Sequence, residues 1–186
     1  MTYHLLQRDR DGAQRLLERL SAALEEIRQC RQCRTLTEGE ICAVCASGRR
    51  SRSQLCVVES ATEMTAILQA TDYQGLFYVL HGRLSPLDGM GPGELGLDRL
   101  EGKLKEGAVE ELILATSTTL EGEATAYYIQ QMAQEQGVAV SRLAYGMPLG
   151  GELEQVDGAT LMHAFKGRQV QSEWAASSDQ PRGETS

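Results

Sequence analysis

The sequence predicts an α/β fold: a small parallel sheet flanked by helices, preceded by a helix and a four-cysteine ribbon. Two observations carry this. Apolar runs at Leu55–Val58, Leu76–Leu80, Ile113–Ala115 and Val138–Ala144 alternate with segments of helical periodicity. Two Cys-x-x-Cys pairs, Cys30/Cys33 and Cys42/Cys45, stand ahead of that alternation. A chain of 186 residues, 41% of them hydrophobic, suffices for one ordinary core or two small ones.

The elements follow in order. Tyr3 to Leu6 is apolar and reads as the end of a first helix. Asp11 to Arg28 reads as an amphipathic helix: Ala13, Leu16, Leu17, Leu20, Leu24 and Ile27 recur at spacings of three and four, with Asp11 as N-cap. The opening stretch, MTYHLLQRDRDG, is charged and has no apolar signal core. No run approaches the ~18 apolar residues of a membrane span. A cytoplasmic protein without a membrane partner is expected.

Eight residues separate the two cysteine pairs. Two tight knuckles that supply four thiolates suit tetrahedral Zn²⁺. Two disulfides or four free thiols are the alternatives, and disulfides fit poorly without a secretion signal. With four Cys ligands no position is open to water, so the role is structural. Such a centre is formally dianionic, and Arg28, Arg31, Arg34, Arg49, Arg50 and Arg52 surround it in sequence. Cys56 lies inside a strand and reads as a small core residue.

Leu55–Val58 ends in Glu59-Ser60, which places a carboxylate at the sheet edge. Thr62 to Ala70 reads as a helix capped by Thr62, with Met64, Ile67 and Leu68 inward. After Leu76–Leu80 comes HGRLSPLDGMGPGELG, Gly- and Pro-rich and long enough to read as a binding loop. His81 reads as a hydrogen-bonded structural residue in preference to a ligand. Leu95 to Lys105 forms a helix. Thr116 to Leu120 is a hydroxyl-rich turn, Glu121 to Gln136 a helix, and Gly137 its stop. That turn sits at the carboxyl edge of a parallel sheet, where such folds place ligands.

Glu152, Glu154 and Asp157 lie beside Leu153 and Val156. They admit a Walker-B-like reading, but no GxxxxGK[ST] loop accompanies them. A solvated strand and turn leading to a short helix is the preferred reading. Beyond Lys166 the polar composition predicts a disordered tail.

Net charge is −8, which argues against a uniformly basic nucleic-acid binder. The distribution is uneven. Residues 1–52 carry ten Arg against seven acids, and residues 53–186 carry eight Lys/Arg against nineteen acids. Two surfaces with different partners are implied, alongside the ordinary reading of solubilising charge.

The four-cysteine module, LCVVES, HGRLSPLDGMGP, LILATSTTLEGEATAYYI and YGMPLGGELEQVDGATL, in that order, resemble the RecR family of recombination mediators over residues 4 to 168. The resemblance implies a Toprim-type sheet, the fold shared with type IA topoisomerases and bacterial primases. It divides the chain into residues 1–28, the last part of a helix-hairpin-helix module; 29–53, a four-cysteine zinc ribbon; 54–146, a Toprim domain; 147–170, a segment with the Walker-B-like acids; and 171–186, a tail. The family's Gly-Val-Gly-type hairpin has no counterpart before His4. The resemblance further implies a homodimer or ring-shaped homotetramer that clamps DNA at the nucleoid. It would act with RecO, and in some settings RecF, to load recombinase onto single strands. Arg8, Arg10, Arg15 and Arg19 are the candidate DNA contacts. Glu59, Glu121 and Glu123 are the candidate acidic face for RecO.

Catalytic Toprim enzymes resemble one another at a turn of the type ATDPDREGE, whose Asp pair and a strand-one Glu hold Mg²⁺. Here the turn is ATSTTLEGE, with Ser117 and Thr119 at the Asp positions. Two anions have become neutral hydroxyls, so Mg²⁺ binding is expected to be weak at best. A non-enzymatic DNA-loading adaptor is the first reading. A Mg²⁺-dependent nuclease or primase-like enzyme using the three Glu is the alternative.

Overall fold

A computed structural model describes residues 2–144 and 156–166. Residues 1–143 form one compact unit and residues 144–186 a second. The first begins with α1 (Thr2–Arg8) and α2 (Arg10–Glu26). Asp9, not Asp11, caps α2: its carboxylate accepts from the Gly12 N–H at 2.8 Å. Asp11 lies in the first helical turn, where a negative charge also meets the helix dipole. The apolar positions of α2 are not buried; Leu17 is 58% and Leu24 85% exposed.

A two-residue hairpin of β1 (Arg28–Gln29) and β2 (Leu36–Thr37), paired antiparallel, and the short helix α3 (Ala43–Ala46) make the cysteine ribbon. Four strands follow: β3 (Gln54–Val58), β4 (Leu76–Val79), β5 (Glu111–Ala115) and β6 (Ala139–Arg142). They form one parallel sheet in the order β4-β3-β5-β6, with Val57 beside Tyr78 on one side and Leu114 on the other.

The central strands are buried on both faces, which explains their continuous apolar runs. Leu55, Val57, Tyr78, Leu112 and Leu114 pack under α5 (Leu97–Lys105) and α6 (Leu120–Glu135). Cys56, Val58, Phe77 and Val79 pack under α4 (Ala61–Ala70), joined by Val44 from the ribbon. Helices thus cover both faces, as expected.

Ser60, not Thr62, caps α4. Ser60 and Glu63 form a reciprocal capping box, the S-x-x-E signature in which each side chain accepts from the other's backbone N–H. Gly137, in the left-handed conformation at φ 71°, follows α6 where a stop is expected. Leu95 lies outside α5, fully buried, because Gly96 at φ 67° turns the chain into the helix.

The segment between β4 and α5 is pinned along its length. A 3₁₀ turn at Pro86–Asp88 and a bridge between Ser85 and Met90 shape its tip. The Leu84 N–H donates to Thr125 Oγ1 on α6 at 2.8 Å. The second unit contains α7 (Gly158–Lys166), where Asp157 Oδ1 accepts from the Thr160 N–H at 3.0 Å. Glu152 and Glu154 of the Walker-B-like reading, and the tail after Lys166, lie outside the described residues. No helix among the described residues is long and apolar enough to cross a membrane.

Candidate functional site

Two constellations carry chemistry. The first is the cysteine cluster. Cys30, Cys33, Cys42 and Cys45 are all buried, and their sulfurs lie within 4.8 Å of one another. Cys33 and Cys42 sulfurs stand 3.5 Å apart, well beyond an S–S bond of about 2.05 Å. None of the five cysteines is in a disulfide. Four thiolates about 2.3 Å from a tetrahedral Zn²⁺ would sit about 3.8 Å apart, so the cluster fits the ion. The knuckles are set to hold negative sulfur. The Cys42 N–H points at Cys30 Sγ (3.3 Å) and the Cys45 N–H at Cys42 Sγ (3.5 Å). Burial opposes ionisation of Cys30, but N–H groups of Cys33, Cys42 and Gln32 outweigh it and hold the thiol down to about 6. Crowding by Cys45, together with burial, pushes Cys33 up, and burial pushes Cys42 up to about 11. Four clustered thiols cannot all ionise together without a cation, which is the electrostatic reason the site suits a divalent metal. With Zn²⁺ bound these residues supply structure, holding two loops that have little core of their own. Cys56 stands apart, 2% exposed, and burial pushes its thiol up to about 12. It is an inert core residue.

The ribbon is joined to the sheet through Arg34. Its guanidinium donates to the carbonyls of Leu80 (3.3 Å), Glu94 (3.1 Å) and Leu95, and lies 5.8 Å from the centre of the Tyr78 ring. Tyr78 itself donates to the Gly96 carbonyl at 2.6 Å. The Val79 N–H donates to the Cys33 carbonyl at 2.9 Å, and His81 Nε2 lies 2.6 Å from the Arg34 carbonyl oxygen. His81 is therefore structural, as the sequence suggests. Arg50 likewise donates to the carbonyls of Tyr73 and Gly75. Two of the six arginines near the cysteines thus bind backbone carbonyls of the sheet domain.

The second constellation is the turn between β5 and α6, at the carboxyl edge of the sheet. Thr119 caps α6 by accepting from the Gly122 N–H at 3.2 Å. A Cβ on Gly122 would overlap the Ser117 carbonyl oxygen, so only glycine permits this tight entry. Glu59, at the end of β3, is 9% exposed and accepts from the Ser117 N–H at 2.8 Å. Arg83 points into the same space from the segment after β4. Its Nη1 donates to Ser117 Oγ (3.2 Å) and Thr119 Oγ1 (2.9 Å) and stands 3.9 Å from Glu59 Oε2. A fixed cation therefore lies among the Glu and the two hydroxyls.

The three glutamates differ in setting. Glu59 is buried against the turn. Glu123 binds Arg142 through two contacts of 2.7 and 2.8 Å. Glu121 is exposed at the first turn of α6. Arg8, Arg10, Arg15 and Arg19 are all exposed on α1 and α2. Arg83 is not legible as a site residue from sequence. The signal available is its place just after a strand, at the same sheet edge as the turn.

Comparison with known proteins matches these parts to three family models. The four-cysteine zinc finger domain of RecR matches residues 27–47, the Toprim domain residues 53–144, and the RecR C-terminal domain residues 146–169. A protein named "Recombination protein RecR" from Methylococcus capsulatus (strain ATCC 33009 / NCIMB 11132 / Bath) is 64% identical over 168 residues, covering 90% of this chain and 85% of the relative. Its namesake from Halorhodospira halophila (strain DSM 244 / SL1) is 58% identical over 168 residues, 90% of this chain and 84% of the relative. That from Xanthomonas axonopodis pv. citri (strain 306) is 58% identical over 165 residues, covering 89% and 84%. With a buried four-cysteine cluster that fits Zn²⁺, a parallel Toprim sheet and this similarity, the chain belongs to the RecR family of recombination proteins.

Proposed function

We propose that this protein is a non-enzymatic recombination mediator in DNA repair. It binds DNA, associates as a homodimer or ring-shaped homotetramer, and acts with RecO, and in some settings RecF, to load recombinase onto single strands. The carrying observation is Arg83. A Toprim turn that served phosphodiester chemistry would gather carboxylates around Mg²⁺. Here a guanidinium stands among Glu59, Ser117 and Thr119. A permanent cation at that place repels a divalent ion and already satisfies the oxygen ligands. The turn is thereby a rigid feature at the sheet edge, held without metal.

The partner-binding role falls on the α6 entrance. Glu121 presents its carboxylate to solvent, with Glu123 beside it on the same turn and Glu59 behind, fixing the turn's shape. A basic surface on RecO is the complement. Arg8, Arg10, Arg15 and Arg19 are the DNA contacts.

One pair of measurements tests this. Purified protein is incubated with nicked, linear and single-stranded DNA plus Mg²⁺ or Mn²⁺, and RecO is titrated in parallel. No turnover and saturable RecO binding are expected. Cleavage or synthesis abolished by Glu121→Gln would replace the mediator reading with a Mg²⁺ enzyme.

A further inference from the structure

We propose that the groove between the cysteine ribbon and α5 is a phosphate-binding site for nucleic acid, separate from the arginines of α1 and α2. This deepens the DNA-binding reading above and rests on it. The groove comprises a cleft of about 430 Å³ and a smaller adjoining one of about 90 Å³ that share Gln32, Lys103 and Glu106. Arg31, Arg34, Arg99, Lys103 and Arg52 line the pair, with Glu106 the one carboxylate. Five cations and one acid line the groove, with Glu40 paired to one of the five, Arg31, in a chain whose net charge is −8. A local field of that sign inside an acidic protein selects anions.

The individual charges sharpen the point. Arg34 forms the floor, and its three acceptors are neutral carbonyls, not anions. Its charge is solvated but not cancelled. Among the described residues Arg31 forms an ion pair only with Glu40, at 3.3 Å with both side chains at least 70% exposed, a contact that water and salt weaken readily. Arg99 and Lys103 stand one turn apart on α5 and form no ion pair among the described residues. Between them Gly102 is exposed, and a Cβ there would meet nothing within 4 Å. A ligand backbone can therefore approach the helix closely between two cations. A run of phosphates fits this surface better than an acidic peptide does. Phosphates need only point charges and close approach, whereas side-chain carboxylates stand off on flexible stems.

The test is a salt series. Labelled single-stranded and duplex oligonucleotides are titrated with the full chain, and fluorescence anisotropy is read. Arg99→Glu with Lys103→Glu is expected to lower affinity at least tenfold. For duplex it should reduce the slope of log K against log salt by roughly two, one for each lost phosphate contact. Arg99→Gln with Lys103→Gln should give the same slope change, with zinc content and circular dichroism unaltered in both. Suppose instead that both variants bind within twofold of the parent with its slope, while Arg15→Glu with Arg19→Glu weakens binding. The groove proposal then falls and the DNA-binding reading stands. A parent chain that binds no oligonucleotide overturns both. A labelled polyglutamate peptide that binds the parent more tightly than an oligonucleotide of equal charge, and loses that binding in the variants, makes the groove a protein site and overturns the proposal.

Discussion

Arg83 bonds both hydroxyls of the β5–α6 turn and stands 3.9 Å from Glu59, and its proposed role there, in place of a divalent ion, is open to direct test. Removing Arg83 alone leaves Ser117 and Thr119 hydrogen-bonded to each other at 2.9 Å, so the stability change should stay near ~1 kcal/mol. The triple change Arg83→Ala, Ser117→Asp, Thr119→Asp should create a divalent site with Glu59, read as Mn²⁺ binding by calorimetry that the parent lacks. Equal Mn²⁺ affinity in both proteins would show that Arg83 does not exclude the ion. At the opposite edge of the sheet Glu111 joins three strands, accepting from Ser141 Oγ (2.7 Å) and Gln54 Nε2 (2.8 Å). Those two bonds hold its carboxyl below the usual value of 4.5. A depressed carboxyl stabilises the fold above its unfolded pKa and loses that contribution as pH falls through the folded one. Denaturation of Glu111→Gln against the parent should therefore show a gap at pH 6 that narrows as pH falls below 4.5 and through the lowered folded value. Solvent limits that gap to less than about 1 kcal/mol. Residue roles of this kind are only partly legible in sequence. The caps are a matter of local signature: Ser60-x-x-Glu63 is present in the sequence, and Thr62 is a misplaced reading of the same helix start. Arg83 meets Ser117 across 34 positions, and no local pattern encodes a contact of that span.

At the scale of elements the seam between ribbon and sheet decides most. β4 is an edge strand, and an unpaired edge invites wrong partners. Here the ribbon covers it, through the Cys33 carbonyl, His81 and the Arg34 guanidinium. Arg34→Ala would leave three carbonyls without that donor and a gap beside Tyr78, costing about 2–4 kcal/mol in urea denaturation. Arg34→Lys should recover little of it, because an ammonium cannot reproduce the planar fork. Near-parental stability in Arg34→Ala would mean that the seam is held by backbone alone. Zinc lies upstream of the same seam. Cys42→Ser should abolish metal binding, measured as zinc per chain, and should also speed hydrogen exchange at Val79, whose amide is bound to the Cys33 carbonyl. Unchanged exchange at Val79 would uncouple the ribbon from the strand. The order of strands and helices is readable because period-two and period-3.6 apolar patterns are local. The spatial order β4-β3-β5-β6, and the use of Arg34 and Arg50 as clamps on carbonyls, are not. Both depend on which distant backbone each element meets.

Across the whole sequence the charge is divided, and under the proposed function the two parts serve different partners. The arginine-rich first 52 residues and the acidic remainder give one polypeptide two kinds of attraction, each screened by salt over about 10 Å at 0.1 M. The acidic side can be probed where it is least compensated. Glu123 is tied to Arg142 and Glu59 is buried behind the turn, so Glu121 is the glutamate of the three most open to a partner. Glu121→Lys should weaken RecO binding at least tenfold and flatten its salt dependence, because a like charge then faces the partner's basic surface. Glu123→Lys should act less cleanly, since it also sets a cation against Arg142 and disturbs the end of β6. DNA affinity should stay within twofold in Glu121→Lys, because no DNA contact proposed here involves that helix. A titration in which Glu121→Lys binds RecO as the parent does, with DNA binding also unchanged, would move the RecO surface away from the α6 entrance. If both affinities fell together, the two partners would have to share one surface, and the division of charge would not be what separates them.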